Sequence, residues 1–465
     1  MDLLAPEYAN QTSLHPAGMV ALAAAAVVVL SAPRRWVVPT LFAVEVFITP
    51  AQRLAVGGLD FTVLRLLLVL ATARVFFLED MRQIRPQPID YAVLLGGLIL
   101  TFVPLANGAH GNPATVLVRK LGLVVFDTML LYVVLRMMIR SLRDLTWALS
   151  AMALICVPVA ALFLVEWSTG RNLFSMLGGV PEWTKVRKGR LRCQGAFVHP
   201  IIAGCFFAAL FPVFVMWPWD RAKQWIGWAG AAACLVIVVA CASSTPIGGV
   251  GVAVVGMLLY PARSWLRPAR WVIAAGLVFV HFAREKPIWH LLAEVKFVGG
   301  STGWHRYTLI DAFVNNADEW WLAGTGSTMH WGFGLIDVTN QYVSYGVNAG
   351  ILGVLALLAV IVVGYMQIGR TLRDPASGST SQRAAYAVGV MLTVHVVCFI
   401  GITYFGQGVL AWYLTLALVG VVAPMYAGHR ATNPEAGSGA AAERVSDEGE
   451  TKSTPKSLGL QGRTA

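Results

Sequence analysis

Apolar runs long enough to cross a bilayer recur along this 465-residue chain, from near residue 17 to residue 426. A hydrocarbon core offers no partner to an open backbone group, so each run is expected to be a helix that closes its own hydrogen bonds. The runs fall near residues 17–32, 36–50, 60–78, 90–107, 116–138, 144–166, 198–217, 224–242, 246–260, 270–283, 345–367, 384–405 and 407–426. At roughly 20 residues per span they occupy well over half of the chain. The expected fold is all-α: a polytopic integral membrane protein of about 12–14 transmembrane helices. With 57% hydrophobic and only 13% charged residues, a soluble domain and a disordered chain are both excluded. The six cysteines form no CxxC pair and lie mostly inside apolar runs, so neither a disulfide framework nor a metal site is expected.

Basic residues report topology. Arg34 and Arg35, Arg82 and Arg85, Arg136, Arg140 and Arg143, Arg221 and Lys223, Arg263, Arg267 and Arg270, and Arg370, Arg373 and Arg383 follow alternate spans. The positive-inside rule makes these loops cytoplasmic, with the N-terminus outside and the C-terminus inside. The net charge of +11 is thereby explained without nucleic acid as a partner. No basic stretch precedes the first apolar run, so that span is expected to be retained. Residues 427–465, rich in Gly, Ala, Ser, Glu and Lys, are expected to be a disordered cytoplasmic tail. The chain then divides into residues 1–189, residues 190–426 and that tail.

Two connections on the opposite side are long, about 167–197 and 284–344, and long connections usually carry function. The first breaks the charge rule: it places Arg171, Lys185, Arg187, Lys188, Arg190 and Arg192 on the disfavoured side. Such a cluster suits an anionic ligand, phosphate above all, or else anionic lipid headgroups. The second contains GWHRYTLIDAFVNNADEWW between Gly303 and Gly324. Wound at about 100° per residue, it puts Leu309, Ile310, Phe313, Val314, Ala317, Trp320 and Trp321 on the same face as Arg306. A cation on the apolar face of an amphipathic helix must meet a carboxylate, such as Glu294 or Asp337, a cluster of carbonyls, or a bound anion. Acids within spans are few; Glu45, Asp60 and Asp127 are the ones that stand out. Ahead of the eleventh run, Asp337, Thr339, Asn340, Gln341 and Tyr342 form a polar group in which Asp337 or Thr339 would cap the helix. Ser243, Ser244 and Thr245 face the same side, either toward a glycan or phosphate or back onto helix carbonyls. Arg119 and Lys120 open the fifth run there, as phosphate contacts or as snorkelling cations.

The segments RCQGAFVHP, SSTPIGG, GWHRYTLIDAF and TNQYVSYGVNAGILG, over roughly residues 190–365, resemble the short motifs of the O-antigen ligase and polymerase family. The resemblance implies a many-helix inner-membrane glycosyltransferase that passes a glycan from a polyprenyl diphosphate donor to an acceptor hydroxyl on the periplasmic side. The acceptor is a lipid A–core for ligases and another repeat unit for polymerases; membrane lipids surround both, and no cofactor, metal or nucleotide sugar is implied. By position, Arg192 and Arg306 would hold the donor diphosphate, assisted by Arg190, Arg119 and Lys120, while Asn340 and Tyr342 would orient the acceptor. Two positions depart from the pattern: Pro246 and its neighbours stand where family members often carry an arginine, and Thr339 where ligases carry a histidine. Asp337 or His305 would then serve as the base. A transporter or flippase of a lipid-linked glycan, or a non-catalytic scaffold, is the competing expectation.

Overall fold

The computed structural model describes residues 11–57, 59–78, 84–294 and 303–423. The expected tail at 427–465, Arg82, and part of the second long connection lie outside the described residues. The described chain is mostly helical, with the composition of a membrane protein. Six helical stretches are long and apolar enough to cross a bilayer: Pro88–Ala106, Pro113–Met138, Leu142–Thr169, Arg221–Ala240, Arg263–Ala283 and Gln341–Arg373. Shorter apolar helices cover Pro16–Ser31, Pro200–Met216, Ser244–Leu258 and Gly408–Val422.

In chain order the first elements are α1 (Pro16–Ser31), α2 (Val37–Phe47), β1 (Arg53–Val56), β2 (Leu59–Thr62), α3 (Val63–Leu78) and α4 (Pro88–Phe102). Then come α5 (Pro113–Lys120), a π-helical stretch (Leu121–Leu130), α6 (Leu131–Met138), α7 (Leu142–Thr169), β3 (Val186–Arg187), β4 (Arg190–Leu191) and α8 (Pro200–Met216). The second half comprises α9 (Gln224–Ala240), α10 (Ser244–Leu258), α11 (Leu266–Ala283), α12 (Leu291–Glu294), α13 (Gly303–Asn315), α14 (Ala317–Trp320), α15 (Gln341–Arg373), α16 (Ser379–Cys398) and α17 (Gly408–Val422).

The helical class expected from the sequence holds, and three local features depart from its detail. A short antiparallel ribbon of β1 and β2 opens the third apolar run, with Arg53 paired to Asp60 at 3.2 Å. The amphipathic helix after Gly303 does not run unbroken to Trp321 but breaks at Asn316, whose side chain donates to the carbonyl of Ala312. The eleventh run starts at Gln341 and is bent at Ala349–Gly350, where Gly350 takes φ +63°. A Cβ on Gly350 would lie 2.4 Å from the Leu322 carbonyl oxygen, so the bend is shaped by the chain that packs into it.

Helices α8 and α17 are buried along most of their length and form the centre. Between membrane helices packing rather than water drives contact, so small residues set close approach. Gly204 of α8 faces Pro246 of α10: a Cβ there would be 2.4 Å from the proline ring. This closeness fixes the start of α10. The basic connections Arg34–Trp36, Arg221–Lys223 and Arg263–Trp265 stand at one end of the bundle. The loop end, opposite, is tied together by Thr49 and Gln52 to Leu177, Gln407 to Ala196, and Thr403 to Val338.

Candidate functional site

At the loop end, Arg192 is positioned by its backbone. Strands β3 and β4 turn tightly at Lys188 (φ +52°) and Gly189 (φ +72°), the positive φ pair of a two-residue hairpin. Arg192 N donates to Lys185 O at 3.0 Å, and Cys193 N to Ala240 O at 3.1 Å, stitching this segment to the end of α9. Beneath it the buried Glu166 carboxylate accepts from Thr184 Oγ1 at 2.9 Å, Gln194 N at 3.1 Å and Gly195 N at 2.9 Å. Glu166 was not among the acids the sequence singled out; it reads there as the tail of an apolar run.

The Arg192 guanidinium is half-buried and its Nε is sealed from solvent without a hydrogen-bond partner. Burial, and then Arg187, pull its pKa below the ordinary arginine value. It lines a cleft of about 1040 Å³ with Arg171, Asn172, Lys185, Gln194 and His199. Arg171 is occupied by Glu182 at 2.9 Å. His199 caps α8, its Nδ1 accepting from Ile201 N at 3.1 Å. Burial first, then Arg192, Lys185 and Arg187, push its pKa down to about 4, so the ring is neutral at pH 7 and presents Nε2–H as a donor. Arg190 is exposed on β4.

Arg306 sits half-buried on α13, and its Nη2 donates to Thr245 Oγ1 at 2.7 Å. A Cβ on Gly401 would lie 2.9 Å from the same Nη2, so the guanidinium tip packs directly against this glycine. Burial pulls the Arg306 pKa down as well. The carboxylates proposed as its partners are engaged elsewhere or apart: Glu294 holds Arg284 at 2.7 Å, Asp60 holds Arg53, and Asp127 holds Arg65 at 2.6 Å. Among the described residues neither Arg192 nor Arg306 forms an ion pair with an acid. Both stand beside the corner between α9 and α10, Arg192 within electrostatic reach of Cys241 and Arg306 bonded to Thr245. Ser243, the N-cap of α10, makes no capping hydrogen bond with its side chain. A cation at the positive end of a helix is electrostatically unfavourable unless an anion joins it.

The remaining residues fall elsewhere. Arg119 and Lys120 line a second cleft of about 370 Å³ with Asp127, Asp337, Gln341 and Asn348. Lys120 is buried there, its Nζ donating to Asn348 Oδ1 at 2.8 Å, whereas Arg119 and Asp337 are exposed. Residues 402–406 line this second cleft, and Gly401, one residue earlier, faces Arg306. His305 is half-buried beside Arg306 and lines neither cleft. The polar group ahead of α15 behaves differently from expectation: Asn340, not Asp337 or Thr339, is the N-cap, its Oδ1 accepting from Tyr342 N and Val343 N. Its Nδ2 donates to Ile400 O, and the Tyr342 hydroxyl to Val396 O at 2.9 Å. Both side chains suggested for an acceptor are thus bonded to the protein's own backbone. Trp320 stacks on Phe313 at 3.8 Å and Trp331 donates to Glu319, so these two rings are packing elements. The described residues contain no cluster of three or more His, Cys, Asp or Glu fit for a metal ion.

No family model and no curated protein sequence matches the chain.

Proposed function

We propose that this protein is a glycan transferase of the bacterial inner membrane with 12–14 spans by sequence count, working at its loop end on the periplasmic side. It moves a glycan from a polyprenyl diphosphate donor to an acceptor hydroxyl, as an O-antigen ligase or polymerase does. The observation that carries this reading is the pair Arg192 and Arg306: two half-buried guanidiniums, without acidic partners among the described residues, beside the uncapped start of α10. A diphosphate supplies the missing negative charge in a form that the planar guanidinium fork suits.

In the reaction the acceptor oxygen bonds to the anomeric carbon while the bond from that carbon to the diphosphate oxygen breaks. The leaving polyprenyl diphosphate keeps the electron pair. Arg192 and Arg306 neutralise the charge growing on it, with preorganised positive charge as the main device. His199 Nε2–H adds a neutral donor to the cleft that Arg192 lines. The acceptor proton passes to Asp337 or His305, or to water. With Asp337 as the base, the acceptor enters from the cleft that Asp337 shares with Lys120 and Arg119, and those two cations then leave the donor to Arg192 and Arg306. Asn340 and Tyr342 then act on the acceptor only through the backbone that they hold.

One observation favours a second reading. The π-helical stretch 121–130 and the bend at Ala349–Gly350 are irregularities within long apolar helices, and both border the second cleft. Transporters place broken helices at their binding sites. Purified protein in lipid vesicles, given donor and acceptor, decides between the two: a transferase forms glycosylated acceptor, whereas a flippase moves the donor across the bilayer and forms none.

A further inference from the structure

Another opening takes no part in this chemistry. Between α1, α2 and α7 runs an apolar groove of about 680 Å³, lined by Ala25, Trp36, Ala43, Phe47, Trp147 and Leu154 among others. Its hydroxyls are satisfied within their own helices: Thr40 Oγ1 donates to Trp36 O at 2.8 Å and Ser150 Oγ to Thr146 O at 2.7 Å. The groove therefore suits an aliphatic chain and offers nothing to a polar one. From Trp36 to Ile48 the groove follows α2 for roughly 18 Å at 1.5 Å per residue, the reach of one extended fatty acyl chain.

One end of the groove is basic. The Arg35 guanidinium carbon lies 5.4 Å from the centroid of the Trp147 ring, onto which Trp36 packs edge-on at 4.3 Å. Arg143 precedes Trp147 by four residues and so shares its row on α7. The nearby acid, Asp144, is held by Arg34 at 2.9 Å. Among the described residues Arg35 and Arg143 form no ion pair with an acid. Helices α2 and α7 run from this end to Thr49 and Glu166 at the loop end, so the basic mouth is remote from both clefts. A polyprenyl donor used at the loop end would have its phosphates at the wrong end of the groove.

We infer that the groove is a binding site for an anionic glycerophospholipid, with one acyl chain along α2 and the phosphate between Arg35 and Arg143. Trp36 and Trp147 mark the boundary between chain and headgroup. The site stands independently of the transfer reaction and is tested without it. The full-length protein is equilibrated with equal amounts of phosphatidylglycerol and phosphatidylcholine bearing the same chains, and retained lipid is counted by native mass spectrometry. Two cations give phosphatidylglycerol a preference of roughly 30-fold. Arg35→Gln combined with Arg143→Gln brings this ratio close to unity. Ala43→Trp, which fills the groove, lowers retention of both lipids, and Arg263→Gln, at a basic residue outside the groove, leaves the ratio unchanged. Equal retention of the two lipids by the unmodified protein overturns the site and needs no variant. So does a preference that survives loss of both arginines, an equal loss in Arg263→Gln, or displacement of phosphatidylglycerol by polyprenyl phosphate.

Discussion

The residue scale is ruled by cations without partners. A buried guanidinium nitrogen that makes no hydrogen bond carries a desolvation cost, and Arg192 Nε is in that position. Arg306 has a hydroxyl, Thr245 Oγ1, as its hydrogen-bond acceptor. If both await a diphosphate, Arg306→Lys keeps the charge and loses the fork. Its turnover with donor and acceptor in lipid should fall by about 100-fold or more, the scale of removing one preorganised donor. Wild-type turnover in that variant would remove Arg306 from the mechanism. His199 gives a pH signature. Its folded pKa is lowered from the ordinary 6.5 to about 4, so the unfolded chain binds the extra proton in that window. Stability from this group is full above about pH 6.5 and declines as pH falls toward 4. Thermal unfolding in lipid should show the decline, and His199→Gln should flatten it; an unchanged slope would place the titration elsewhere.

At the scale of elements, the loop 171–199 owes its shape to α7 below it. Gly195 adopts φ +57° against the Phe163 ring, where a Cβ would lie 2.4 Å from Cε2, and its N–H is bonded to Glu166. Gly195→Ala should therefore lower stability by about 1–3 kcal/mol. It should also speed proteolysis between residues 171 and 192, read by limited digestion in nanodiscs; unchanged cleavage would mean that the Glu166 clamp does not hold the loop. Apolar runs and their period made the helices legible in the sequence, because a span must close its own hydrogen bonds. The breaks were not legible. Asn316, Ala349–Gly350 and the β1–β2 pair depend on partners distant in sequence or on local polar contacts, such as the Leu322 carbonyl against Gly350. The same limit applies at the site. Arg192 and Arg306 are legible as cations in unfavourable places, whereas the role of Glu166 depends on three donors that only the folded chain brings to it. Asn340 and Tyr342 stood out as polar, yet their bonds turn inward.

For the whole molecule, the proposed transfer requires a periplasmic loop end and two arginines acting together. All six cysteines are buried, so an impermeant maleimide has no native target in the folded protein. Lys188→Cys should label in intact cells and Arg221→Cys only after the membrane is opened; the reverse pattern would turn the site toward the cytoplasm. The division of labour between ends follows from the same topology, with the clefts at the loop end and the basic groove mouth opposite. The most direct test of the central claim is a double-mutant cycle. Transfer is measured in lipid for Arg192→Ala, Arg306→Ala and the pair, each change being read as an activation free energy. Two groups that neutralise one diphosphate should be coupled by about 1 kcal/mol or more, with the pair barely worse than the poorer single variant. Strictly additive losses would assign the arginines to separate tasks and contradict the account.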